Sequence, residues 1–409
     1  MNRIARPPRL AGTALLIGSV LGGCSLLGPA DRNPPPPAAP VAAVPTAAAP
    51  QATYKFAIAA DHDDVIGQLQ LTTAGKDDTL TDIARRFNLG YEEIVRANPG
   101  VDVWLPGAGR QIVLPTQFVL PDAPHNGLVI NIAAMRVYYF PAHKKGEPQL
   151  VYTHPIGIGK VGWKTPEGTT RILRRQKDPI WRPPVSVIKE HRENGDELAS
   201  VVGPGPDNPL GRYAFYLAWP GYLIHGTNKP AGVGLRSSHG CIRLYPEDIA
   251  EFYEMVPLGT QVHVVNQPIV FGWHAGQLYM QAFGSLEDDK RKGDRLEQRE
   301  LARALGERVR KDLKERSLEV NDTVVHALTQ SPRGVPVPVT GPESSVEQIL
   351  AAAITVDNRV PEGATWDGKT DLPMDEKTFR EVFSEREPAQ TQTAAPAQAA
   401  QNAPRKSGS

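Results

Sequence analysis

Glycine and proline interrupt this chain so often that long uninterrupted helices are largely closed to it. With 37 glycines and 39 prolines in 409 residues, turn-rich β structure joined by flexible linkers is favoured over a helical bundle. The length leaves room for two or three domains with ordinary hydrophobic cores. Acidic and basic residues balance at 45 each, so no global charge excess points to nucleic acid as a partner.

The first residues bear on the compartment. Arg3, Arg6 and Arg9 form a positive start, and an apolar segment runs from Ala11 to Leu21. That segment is too short for a lasting bilayer span but suits a secretory signal. It leads into Leu21-Gly22-Gly23-Cys24, which resembles the lipobox of bacterial lipoproteins. The resemblance implies that Cys24 is diacylated and becomes the mature N-terminus, a firm membrane attachment. An ordinary signal peptide with a chance cysteine is the alternative. Ser25 after the lipidated position implies sorting to the outer membrane. The chain has two cysteines in all; with Cys24 lipidated, Cys241 has no disulfide partner. An odd thiol in an oxidising compartment is a candidate reactive group, a buried structural cysteine being the other reading.

Composition divides the rest. Residues 1–24 are the expected signal and lipobox, and 25–52 a proline- and alanine-rich tether that cannot build a core. Residues 53–122 change character. Leu69 and Leu71 alternate with polar residues as in a strand, and Asp78 is the expected N-cap before Leu80, Ile83, Ala84 and Phe87 on one helical face. Tyr91, Ile94 and Val95 begin a second helix, stopped at Asn98-Pro99-Gly100, and Gln111 to Pro115 closes with a strand. Residues 127–266 read as β-rich, with strand-like runs at Leu128–Ile132, Met135–Phe140, Leu150–Tyr152, Arg171–Leu173 and Val262–Val265. A loop-like insert from Asp178 to Gly211 interrupts them, and Glu247–Met255 is an expected helix with Ile249, Phe252 and Tyr253 on its apolar face. Residues 267–386 form an extension with weaker signals. Leu301, Leu305, Val309 and Leu313 mark an amphipathic helix there, and Ser344-Ser345-Val346-Glu347 a capping box. Residues 387–409, rich in Ala, Gln, Thr and Pro, are expected to be disordered.

The chemistry concentrates in His225–Arg243. Cys241 follows Ser238, His239 and Gly240, and His225 lies sixteen positions upstream. An imidazole can take the proton of a thiol, and the resulting imidazolium stabilises the thiolate. A glycine before the nucleophile lets the amides of Gly240 and Cys241 approach a carbonyl oxygen, as an oxyanion hole requires. Spacing alone leaves His225 and His239 as alternative bases. It also leaves a metal reading open, with His225, His239 and Cys241 as ligands, although no zinc spacing fits.

These residues carry a resemblance. His225-Gly226-Thr227-Asn228, Gly232-Val233-Gly234-Leu235-Arg236 and Ser238-His239-Gly240-Cys241-Ile242-Arg243 resemble the signature of the L,D-transpeptidase (YkuD-like) catalytic domain. Pro155 to Gly159, Thr165-Pro166 and Gly205 to Pro209 match it too. Asp78-Thr79-Leu80, Ile83-Ala84, Asn98-Pro99 and Leu105-Pro106 resemble a LysM module, with Lys76-Asp77 lengthening the usual turn. The combination resembles the subgroup that couples an outer-membrane lipoprotein to peptidoglycan. It implies a mainly β fold: a β-sandwich-like catalytic domain, a small βααβ LysM domain and a partly helical C-terminal extension. Cys241 would be the nucleophile, His225 its proton acceptor and donor, the Gly226 carbonyl the group orienting that ring, and His239 a residue shaping the turn. Arg243 stands where many relatives carry Asn. Arg236 and Arg243, with Ser238, are the candidate substrate-binding residues, a structural ion pair being the other reading of each arginine. No cofactor and no metal are implied.

The implied reaction releases D-Ala from a stem tetrapeptide and passes the acyl group to an amine of a lipoprotein lysine or a second stem peptide. The implied partners are peptidoglycan peptides and glycan, with the membrane reached through the lipid anchor and the enzyme in the periplasm. Water as acceptor would make an L,D-carboxypeptidase or a lipoprotein-releasing peptidase. A non-catalytic, lipid-anchored peptidoglycan strap is the rival from another class.

Overall fold

The computed structural model describes residues 53–58, 63–195, 197–289 and 300–370. The expected signal, the lipid site Cys24, the tether and the C-terminal tail lie outside the described residues.

Three short strands, β1 (Lys55–Ala57), β2 (Val65–Gly67) and β3 (Gln70–Thr73), precede helices α1 (Leu80–Arg86) and α2 (Tyr91–Ala97). Strands β4 (Gln111–Leu114) and β5 (Gln117–Val119) follow. β3 and β4 pair antiparallel with Leu71 opposite Val113, closing the expected βααβ unit. The helical spacing read from the sequence is the buried face: Leu80, Ile83, Ala84, Phe87 and Ile94 are at most 1% exposed. The cap of α1 differs from expectation. Thr79 is the N-cap, its hydroxyl accepting from the Asp82 amide at 3.1 Å while Asp82 accepts from the Thr79 amide at 3.0 Å. Asp78 instead accepts from the Gly75 amide at 2.7 Å and pairs with Arg86 at 2.8 Å. Asn98 ends α2 and staples it to β4, donating to the carbonyls of Ile94 and Val113 and accepting from the Val113 amide.

The second region contains β6 (Gly127–Asn131), β7 (Arg136–Phe140), β8 (Leu150–Pro155), β9 (Ile158–Gly159) and β10 (Gly168–Lys177). After helix α3 (Val185–Glu193) come β11 (Tyr213–Leu217), β12 (Leu223–His225), β13 (Arg236–Ser238) and β14 (Ile242–Arg243), then α4 (Pro246–Met255) and β15 (Gln261–Val265). Nine strands form one sheet in the order β1-β8-β7-β6-β15-β10-β11-β12-β14, and β13 pairs with β9 beside it. β10 makes the sheet curl. Its first residues pair with β15 and its last with β11, with a register break between Ile172 and Arg174. The core enclosed holds Leu128, Ile130, Phe215, Ile224, Ile242, Ile249 and Phe252. The insert after Asp178 is not wholly loop: α3 occupies its centre.

The extension is more ordered than its sequence signals suggest. β16 (Ile269–His274), β17 (Gln277–Ala282) and β18 (Val337–Pro338) form a three-stranded sheet. It shares a core with the helices Glu307–Arg316 and Asp322–Gln330 and with Leu69, Leu71 and Val113. The expected run from Leu301 to Leu313 is broken at Gly306, whose φ is +37°. The expected capping box shifts by one residue, with Ser345 as N-cap and Gln348 as its reciprocal partner before the helix Val346–Ala351. Finally β19 (Ile354–Thr355) adds in parallel to β3.

Candidate active site

The site lies where β12 and β14 run side by side in parallel, Ile224 opposite Ile242 and His225 opposite Arg243. Both isoleucines are buried in the sheet core. Strand alternation then turns Leu223, His225 and Arg243 to the other face; Cys241 stands one residue ahead of β14, its sulfur 3.6 Å from the Gly221 carbonyl. The turn before Cys241 needs its glycine. Gly240 has φ +98°, and a Cβ there would lie 2.9 Å from the Tyr222 ring. Ser238, 1% exposed, braces the turn, its hydroxyl donating to the Cys241 carbonyl at 2.5 Å and accepting from the Gly240 amide at 3.2 Å. Thr165 donates to the Gly240 carbonyl at 3.1 Å.

His225 is 4% exposed, and its Nδ1 lies 2.6 Å from the Gly226 carbonyl. A carbonyl only accepts, so Nδ1 carries the proton and Nε2 is the basic nitrogen. Burial, helped by the Arg243 charge, pushes this imidazole down to about 3. Burial also pushes the Cys241 thiol up, against smaller opposing effects of the Leu223 amide and Arg243. Both shifts favour a neutral thiol and a neutral imidazole over the thiolate–imidazolium pair expected from sequence. Such a pair can still act if the proton moves as sulfur attacks.

The other expected residues separate. His239 turns away to α3, with Nε2 2.6 Å from Glu190 Oε2. Glu190 also pairs with Lys160, and these two partners hold its carboxyl below the usual range against the cost of burial. The Trp163 ring meets His239 edge-on at 4.8 Å. Arg236 is committed to Asp288, Nη2 to Oδ1 at 2.8 Å, which is the ion-pair reading of that arginine. Arg243 differs. Its Nη1 donates to Ser237 Oγ at 3.3 Å, and its buried Nε has no hydrogen-bond partner among the described residues. Ser238 and Gly240 serve the turn, and the Gly240 amide is spent on Ser238. Among the described residues, no three His, Cys, Asp or Glu side chains group as a metal would require.

Sequence reasoning missed Glu190, Lys160, Trp163 and Asp288. None lies in the His225–Arg243 run, and no local pattern marks them.

Residues 125–264 match the L,D-transpeptidase catalytic domain (YkuD), and residues 73–115 match the LysM domain. The chain is 42% identical over 217 residues to "Probable L,D-transpeptidase YbiS" of Escherichia coli (strain K12), covering 52% of this chain and 69% of that protein. It is 40% identical over 210 residues to "Probable L,D-transpeptidase ErfK/SrfK" of the same strain, covering 51% and 66%. A further relative there, "Probable L,D-transpeptidase YcfS", is 43% identical over 195 residues, covering 47% and 60%.

Proposed function

This chain belongs to the L,D-transpeptidase (YkuD) family, and on that premise we propose that it transfers peptidoglycan acyl groups through a thioester on Cys241. The Cys241 sulfur attacks the carbonyl of the L-configured centre of the third residue of a stem tetrapeptide. Its proton passes to His225 Nε2 as the S–C bond forms. The C–N bond to terminal D-Ala then breaks, and the leaving amine takes that proton. An amine next attacks the thioester, His225 accepts its proton, and the sulfur departs and is reprotonated. What supports this reading is the parallel pairing of β12 with β14, which sets His225 opposite Arg243, two residues from Cys241, with the ring's Nδ1 held on Gly226.

Arg243 is the group we assign to a stem-peptide carboxylate, since Arg236 already has a carboxylate partner in Asp288. The acceptor is a lysine of an outer-membrane lipoprotein or a second stem peptide. The LysM domain holds the enzyme to the glycan, and lipid on Cys24 would keep it in the periplasm at the outer membrane.

Incubation of the full chain with a purified tetrapeptide muropeptide and a lysine-bearing acceptor peptide, read by mass spectrometry, tests this. We expect loss of D-Ala with a new amide to the acceptor, and neither product from Cys241→Ala. Tripeptide without any amide product would replace the transferase reading with a carboxypeptidase. Turnover by Cys241→Ala would remove the thioester.

A further inference from the structure

Between α1, α4 and residues 359–366 lies a cavity of about 440 Å³ that the proposed reaction does not use. Three buried side-chain atoms on its wall, one each on Arg86, His154 and Asp248, have no hydrogen-bond partner among the described residues. His154 of β8 is 1% exposed, and its Nδ1 lies 3.1 Å from both Asn88 Oδ1 and Asp248 Oδ1. Both are acceptors, so Nδ1 carries a proton, and the ring's other nitrogen is Nε2. That Nε2 is buried without a hydrogen-bond partner among the described residues, with Glu251 Oε2 3.6 Å away. Asp248 is 8% exposed, and its Oδ2 is likewise buried and without a donor. Tyr54 stacks on His154 with ring centroids 5.7 Å apart, adding a π face to the same cavity.

Arg85 makes a forked pair with Glu247 at 2.8 and 2.9 Å, and Arg86 pairs with Asp78 at 2.8 Å, although the buried Nε of Arg86 has no hydrogen-bond partner among the described residues. Arg359 and Glu362 are exposed and opposite in sign, and the Lys55 ammonium sits over the Tyr152 ring at 5.4 Å. Asp248 and Glu251 are left facing one imidazole. Burial, the largest effect, lifts the Glu251 carboxyl above its usual range together with the Asp248 charge, against the opposing charges of His154 and Lys55.

We propose that this cavity binds a primary ammonium group carried on a peptide side chain, held by Asp248, Glu251 and His154 against the Tyr54 ring. An ammonium offers three donors and no acceptor, matching a wall that leaves Asp248 Oδ2 without a donor. An anion would meet two carboxylates, and a sugar hydroxyl would leave their charge unanswered. The ammonium can come from a lysine of a protein or from the diamino acid of a stem peptide. The site is argued without reference to Cys241.

Titration of the full chain with Nα-acetyl-lysine methylamide, following the side-chain nitrogen signals of His154, tests this. We expect saturable shifts with the lysine compound and none with its norleucine counterpart or with an N-acetylglucosamine trimer. Glu251→Gln, checked for an unchanged melting curve, is expected to weaken binding about tenfold, since a charge-assisted contact becomes a neutral one. Arg359→Ala is expected to leave it intact. Tighter binding of a lysine peptide would assign a protein partner, and tighter binding of a diamino-acid stem tripeptide the wall itself; each supports the site. Equal binding of norleucine, full affinity in Glu251→Gln, or shifts from the sugar trimer alone would overturn it.

Discussion

Burial is the largest effect on both Cys241 and His225, and in each it favours the neutral form. A preformed thiolate would titrate far below an ordinary thiol, as in cysteine enzymes with a charged histidine partner. Here the far-ultraviolet thiolate absorbance, taken as the difference between wild type and Cys241→Ser, is expected to rise only above the ordinary thiol value of 9.0. A step below pH 7 would mean that His225 is charged at rest. Arg243 has a different part at this scale. Its forked guanidinium has a buried Nε still to be paired, so Arg243→Lys keeps the charge and loses the fork. With a tetrapeptide donor, KM is expected to rise about tenfold while kcat changes less, the signature of lost binding common to ground and transition states. A fall in kcat at constant KM would place Arg243 in the chemical step instead.

Among the elements, α3 is thinly attached to the core. It buries only Val187, while Val185 at its first turn is 83% exposed. Glu190 therefore carries much of its connection, reaching His239 and Lys160 next to the cysteine turn. Glu190→Ala is expected to speed amide exchange in residues 185–193 and to lower kcat/KM, with little change in melting temperature. Unchanged exchange would show that apolar contact alone holds the helix. The same feature explains why α3 was not legible: with one buried side chain, no 3.6-residue apolar stripe is written into its sequence. The helix α4 was legible because Ile249 and Phe252 pack fully into the core. β16 was missed for the opposite reason. Five of its six residues are buried, which erases alternation, and it contains Gly272. That glycine is needed because a Cβ there would lie 2.6 Å from Asp64 Cβ. The cysteine, its histidine and the glycine turn were legible because they sit in one short run. Glu190 was not, because the fold alone brings it to His239, 49 positions away.

At the scale of the whole molecule, the βααβ module and the catalytic sheet are joined by buried polar contacts. Arg136 of β7, 1% exposed, forks onto Glu93 of α2 at 2.6 and 2.9 Å and donates to the Asn88 carbonyl at 2.7 Å. The Tyr245 hydroxyl donates to the Leu89 carbonyl at 3.0 Å. The backbone of α2 also meets the loop leading to the cysteine: the amides of Tyr91 and Glu92 donate to the carbonyls of Val233 and Gly234, each at 3.2 Å. Gly90 and Gly234 allow that approach, since a Cβ on Gly234 would lie 2.1 Å from the Tyr91 nitrogen. A module joined this way unfolds with the catalytic sheet. Glu93→Gln leaves a buried guanidinium without its counter-charge, a loss of about 3–5 kcal/mol. Replacing both partners with apolar residues, Glu93→Leu with Arg136→Met, removes the uncompensated charge and is expected to recover much of that loss. In wild type, circular dichroism and Cys241 alkylation should report one coincident transition, which Glu93→Gln moves down as a unit. Two separated transitions, with the cysteine protected through the first, would make the module an independent appendage whose contacts add nothing to the site.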